Sequence, residues 1–195
     1  WFGNSASESD WQHLWLSEGF ATYFTNLYFE DTHGDLAFRE RLTNERKKVI
    51  GFSKQYDHPV IDTSYAELMH LLNPNSYQKG AWFLHMLRNK IGDRYFFESI
   101  RKYYDAYKYG NASTDDFMHI VEEVSDEKLD DFFKQWLRTY GHPLLKFNSY
   151  GKKDKYTVQV EQIQSHFTFD FPIEIQFEFE DGSFESRMFD VKHTS

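Results

Sequence analysis

The spacing of apolar residues changes period near Pro143, and that change constrains the fold more than any other feature of the chain. Before it, apolar side chains recur at intervals of three and four, the repeat of one helix face. After it they alternate with polar ones, the repeat of a half-buried strand. The pattern predicts a mainly α chain: a helical region over residues 1–142, then a short antiparallel β-sheet unit, sandwich-like, over 143–195.

The helical part can be read element by element. Leu16, Phe20, Tyr23 and Leu27 mark a first helix, with Ser17 as its expected cap. Residues 35–48 are dense in charge, with Asp35/Arg39 and Arg41/Glu45 at i,i+4, which predicts a solvated helix laced with ion pairs. Residues 56–74 read as loop, holding Pro59 and Pro74 and one short helix over 66–71. Asn75 or Ser76 is expected to cap a helix over 77–91, which Gly92-Asp93 breaks. Phe96, Ile100, Tyr103 and Tyr107 continue the stripe, and 111–114 supply a turn and cap before Phe117, Ile120, Val121 and Val124. Leu129, Phe132, Phe133, Trp136 and Leu137 form a last helix, stopped by Gly141 and Pro143. In the β part, Ile173, Ile175, Phe177 and Phe179 alternate with acids and Gln176, and Asp181-Gly182 signals a hairpin to a return strand over 184–191.

Composition excludes several function classes. There is no cysteine, so disulfides and thiolate metal sites are out, and His and carboxylates remain as ligands. The net charge of −9 disfavours non-specific binding to nucleic acid or to an anionic membrane. No apolar run reaches the length of a membrane-spanning helix. The compartment is left open.

Two residues stand out as chemical candidates. Glu18 lies in Leu14-Trp15-Leu16-Ser17-Glu18-Gly19-Phe20-Ala21, a carboxylate at the start of an apolar helical pattern. It is either a charge that compensates the helix dipole or a site residue whose burial calls for a metal or a cation. Tyr77 lies in Asn75-Ser76-Tyr77-Gln78-Lys79-Gly80-Ala81, at the mouth of a predicted helix, one of thirteen tyrosines. Glu67 and His70 have the E-x-x-H spacing of di-iron bundles, but that fold needs two such motifs and only one is present. His13 lies five residues before Glu18, off its helix face, and is expected to make polar surface contacts. Asp115, Asp116, Glu122 and Glu123 read as helix-start and solvent-face charges.

Trp1-Phe2-Gly3-Asn4, Asp10-Trp11 and the segment around Glu18 together resemble the aminopeptidase N family of zinc metallopeptidases, the gluzincins. That family carries H-E-x-x-H and then, after eighteen residues, a Glu in a W-L-x-E-G-F-A segment. The resemblance implies the C-terminal part of a thermolysin-like catalytic domain, with Glu18 as the third protein ligand of zinc. Seventeen residues precede Glu18, which sets the second His two positions before Trp1. The two His ligands, the general base and the G-x-M-E-N segment that grips the free amine are therefore expected outside this sequence. Tyr77 matches the Tyr of the family's Y-E-K-G segment, where the hydroxyl stabilises the oxyanion, with Gln78 replacing the usual Glu.

The implied activity is release of N-terminal residues from peptides by attack of a metal-bound water. The polypeptide alone is expected to be inactive and to hold zinc weakly or not at all. Trp1, Phe2, Trp11, Trp15 and Leu16 are expected to form an exposed apolar patch that drives self-association. The alternatives are a non-catalytic peptide-binding helical module and a bifunctional enzyme like leukotriene hydrolase.

Overall fold

The computed structural model describes residues 3–152, 155–179 and 181–191. The chain divides into two compact units, Trp1–Gly141 and His142–Ser195.

In the first unit, a short strand β1 (Ala6–Glu8) leads through a 3-10 turn, Trp11–His13, into helix α1 (Trp15–His33). Helix α2 (Asp35–Ser53) follows after Gly34, whose φ of 83° suits glycine at the junction. A loop with a 3-10 turn at Leu68–Leu71 reaches a π-helical turn, Asn75–Lys79, which runs directly into α3 (Gly80–Tyr107). Gly92 breaks α3 with φ 82° and ψ 157°, as its sequence predicts. Strand β2 (Gly110–Ala112) pairs in parallel with β1, Ala6 opposite Gly110. Helices α4 (Thr114–Ser125) and α5 (Asp130–Phe133), with a second π-helical turn at Lys134–Arg138, complete the unit.

Aromatic rings build the core of this unit. Trp15, Phe20, Tyr23, Phe83, Phe96, Tyr103 and Phe117 are all at most 1% exposed, so the stripes read from the sequence do face inward. Trp15 meets Phe83 edge-on at 5.2 Å, and Phe117 meets Phe20 at 5.2 Å and Tyr103 at 5.1 Å in the same manner. Edge-to-face contact sets a positive ring edge against a negative face and adds to the burial energy.

This packing corrects the expected apolar patch. Trp15 and Leu16 are fully buried, covered within the unit by α3 and α4, and only Trp11 is half exposed. Trp1 and Phe2 lie outside the described residues. Nothing in the described surface therefore supports self-association through that segment.

Three local expectations also give way to tertiary contacts. Ser17 sits inside α1 rather than capping it, and its hydroxyl donates to the Glu8 carboxylate. Neither Asn75 nor Ser76 caps α3; the Asn75 amide donates to the His58 carbonyl at 2.8 Å and the Ser76 hydroxyl to the Leu71 carbonyl at 2.6 Å. On α2 the Asp35–Arg39 pair forms at 2.7 Å, but Glu45 is buried beside Phe38, Leu42 and Val49 on the helix's inward face. Asn26 satisfies it, donating to its carboxylate at 2.9 Å while accepting from Arg41 at 2.8 Å. At α4 the expected cap is present: Ser113 and Asp116 form a reciprocal capping box.

The second unit consists of two antiparallel ladders among the described residues. Strands β3 (Leu145–Lys152) and β4 (Lys155–Gln162) pair from Leu145↔Gln162 to Lys152↔Lys155. Strands β5 (Phe171–Glu178) and β6 (Phe184–Val191) pair from Phe171↔Val191 to Glu178↔Phe184. The Asp181-Gly182 turn forms as predicted, with Gly182 at φ 79° and the Asp181 carboxylate accepting from the Ser183 amide at 2.9 Å.

Candidate functional site

Glu18 lies in the first turn of α1, where its charge is favoured by the exposed amides of the helix start. Two anchors fix that helix start. Thr114 Oγ1, at the head of α4, accepts from the Trp15 indole at 2.9 Å and shares a 2.9 Å hydrogen bond with His13 Nδ1. The Ser17–Glu8 contact ties the next residue to β1. His13 is thus a buried structural residue, not a surface one, and burial pushes its pKa down.

Tyr77 sits on the π-helical turn that precedes α3. The wider winding is visible in the Lys79 amide, which donates to the Pro74 carbonyl five residues back at 2.9 Å. Side chains on both sides hold this turn: Asn75 and Ser76 bond to the preceding loop, and the Lys79 ammonium donates to the Gly141 carbonyl at 3.0 Å. π-Turns are frequent at functional sites.

The turn packs on α1, and this brings the two candidates near each other: the Tyr77 phenol lies within reach of the Glu18 charge. They are 59 residues apart in sequence. Both side chains are half-buried, open enough for a ligand and shielded enough for the interaction to matter. Burial first, then the nearby Glu18 carboxylate, raise the Tyr77 pKa. The phenol therefore keeps its proton at neutral pH. Lys79, two residues on, is buried, and desolvation pushes its pKa down to about 8.

The other sequence candidates do not join this pair. Glu67 and His70 are both exposed on the 56–74 loop. Asp115 pairs with Arg138 at 2.7 Å, Asp116 belongs to the capping box, Glu122 accepts from the Leu129 amide, and Glu123 pairs with Lys102. Among the described residues no three His, Asp or Glu side chains are grouped to hold a metal. A groove of about 510 Å³ lined by Phe24, Leu27, Tyr28, Glu30, Asp31 and Phe97 lies farther along α1 and includes neither Glu18 nor Tyr77. No helix among the described residues is long and apolar enough to cross a membrane. Sequence reasoning passed over Lys79 and Thr114, for which composition and periodicity carry no signal.

Comparison with known proteins adds what geometry alone does not. Aminopeptidase M1-C of Oryza sativa subsp. japonica is 29% identical over 167 residues, which are 84% of this chain and 19% of that protein. The chain thus spans about a fifth of the length of the curated relatives it matches. The crystal structure of Legionella pneumophila aminopeptidase A in complex with aspartic acid shares the fold, with a TM-score of 0.78 at 20% identity over 99% of this chain and 22% of that one. The M1 zinc metallopeptidase from Deinococcus radiodurans superposes with a TM-score of 0.61 at 25% identity, covering 74% of this chain and 31% of that one. The Peptidase family M1 domain matches residues 1–136, the stretch that carries both Glu18 and Tyr77, and the chain therefore belongs to peptidase family M1.

Proposed function

We propose that the protein carrying this chain is a zinc aminopeptidase that releases N-terminal residues from peptides, with Glu18 and Tyr77 at its reacting centre. The observation that supports this reading is the packing of the Tyr77 turn on the start of α1, which sets the two residues that match the family's Glu and Tyr motifs within electrostatic reach of each other. Glu18 suits a zinc ligand. A carboxylate oxygen is one of the donors zinc takes beside His. Glu18 is half-exposed and makes no ion pair among the described residues, and the phenol nearby is neutral.

The sequence contains no H-E-x-x-H, so in this reading the two His ligands and the general base belong to another part of the protein. This polypeptide by itself offers one protein ligand of three, and it neither holds zinc tightly nor turns over peptides.

Zinc, when bound, supplies Lewis acidity to water and to the scissile carbonyl. The work of this chain's residues is separate. Glu18 contributes negative charge to the metal's ligand set. Tyr77 donates its proton in a hydrogen bond to the oxygen that becomes negative as the carbonyl turns tetrahedral. Its raised pKa serves that role, since an ionised phenolate has no proton to share. The side-chain bonds that hold the π-turn support this role, since they fix the backbone that carries the donor before the charge develops.

The test is made on the intact protein. Tyr77→Phe should lower kcat by roughly 10²–10³-fold, the range for losing one oxyanion donor, with zinc content and KM little changed. Glu18→Ala should lose zinc by metal analysis. Undiminished kcat in Tyr77→Phe removes Tyr77 from the mechanism. Stoichiometric zinc with turnover in the 195-residue polypeptide alone overturns the ligand count.

A further inference from the structure

The Glu18 carboxylate comes near the Tyr77 phenol because two backbones meet first. Gly19 follows Glu18 directly, and Gly80 comes three residues after Tyr77. A methyl group on Gly19 would lie 3.0 Å from both Cα and the carbonyl carbon of Gly80 and 3.3 Å from the Ser76 carbonyl oxygen. A methyl group on Gly80 would lie 3.1 Å from Gly19 Cα and 3.4 Å from Trp15 Cβ.

Neither glycine is needed for its backbone angles. Gly80 has ordinary helical values, φ −59° and ψ −44°, and Gly19 lies within α1 without a positive φ. In such positions alanine is the better residue by about 1 kcal/mol of helix propensity. Lack of room explains glycine at both places. The atoms in the way at Gly19 are all main-chain atoms of the Tyr77 turn, so an added methyl shifts the turn rather than a side-chain tip.

We propose that Gly19 and Gly80 are a matched pair of positioning residues, whose backbone contact sets the separation of Glu18 from Tyr77. The inference rests on reading those two residues as the working pair of the site. Its test needs neither metal nor substrate, so its failure is separate from that of the zinc reading, which metal analysis decides.

The experiment is a double-mutant cycle on the stability of this chain, using Tyr77→Phe, Glu18→Ala and the pair, followed by urea unfolding. In the wild-type background the coupling should reach about tenfold in the unfolding constant, within the range for two neighbouring side chains that interact. In the Gly19→Ala background it should fall to within about twofold of no coupling. Gly51→Ala, whose methyl meets nothing within 4 Å, should leave the coupling at the wild-type level. Should Gly19→Ala fail to fold, the same cycle in Gly80→Ala decides, because one of the atoms it meets there belongs to the Trp15 side chain. Coupling that persists in the alanine background while stability alone drops would make the glycines a packing requirement and overturn the proposal. Absence of coupling in the wild type overturns it as well.

Discussion

The helical unit and the β unit are equally rich in aromatic sequence and bury it very differently. In the first, Trp15, Phe20, Phe83 and Phe117 touch one another and are shut off from water. In the second, Phe147, Tyr150, Phe184 and Met188 are each more than half exposed. The reason is geometric. A helix presents a stripe that neighbouring helices on several sides can cover. A two-stranded ladder has two faces and little to cover either, and such ladders are marginal on their own. Glu18 and Tyr77 belong to the unit that excludes water, where an electrostatic interaction such as that between them is less screened.

Three experiments set the two units against each other, and the chain offers a convenient probe: all five tryptophans lie in the helical unit. Trp15→Ala should cost the helical unit about 3–5 kcal/mol, the range for a large aromatic lost from a packed core. Urea unfolding followed by the fluorescence of the remaining tryptophans measures it, and a cost comparable to a surface change would show the core to be loose.

An intermediate effect comes from Lys79. Its pKa is about 8 in the folded chain against 10.5 for an ordinary lysine. Between those values the unfolded chain binds more protons than the folded one, so stability should rise as pH increases from 8 to 10.5. The fluorescence-detected urea midpoint should follow that rise, and Lys79→Met should flatten it. A wild-type midpoint that stays level across the window contradicts the burial of this ammonium. The smallest effect belongs to the β unit: Phe184→Thr, on an exposed strand position, should change stability by no more than about 0.5 kcal/mol in chemical denaturation. A loss of several kcal/mol would mean that this face is covered after all.

The parts of the structure legible in the sequence are those set by neighbours along the chain. Gly92 breaks α3 because only a glycine backbone adopts its angles readily, and Asp181-Gly182 makes its hairpin for a similar reason. Ser113 caps α4 through contacts within four residues. Beside the apolar patch at Trp15 and Leu16, which the fold buries, the misreadings involve polar side chains that found partners outside their own helix turn. Ser17 and Asn75 look like caps, yet Glu8 and the His58 carbonyl claim them. Glu45 looks like a surface charge until Asn26 supplies its partner. The π-turn under Tyr77 has no local signature, since it depends on side-chain bonds to the 56–74 loop. For the site itself, periodicity left Glu18 ambiguous and Tyr77 anonymous. The family resemblance singled them out, and the fold brought them near each other.

The parallel pairing of Ala6–Glu8 with Gly110–Ala112 bears on when the site can exist at all. The start of α1 is held by β1, by Thr114 and through them by a part of the chain made about a hundred residues later. Closing so long a loop is entropically costly, and non-local contacts of this kind form late in folding. A growing chain that has not yet reached Thr114 lacks both the strand partner of β1 and the acceptor of the Trp15 indole. The start of α1 is therefore fully braced only once the helical unit is complete.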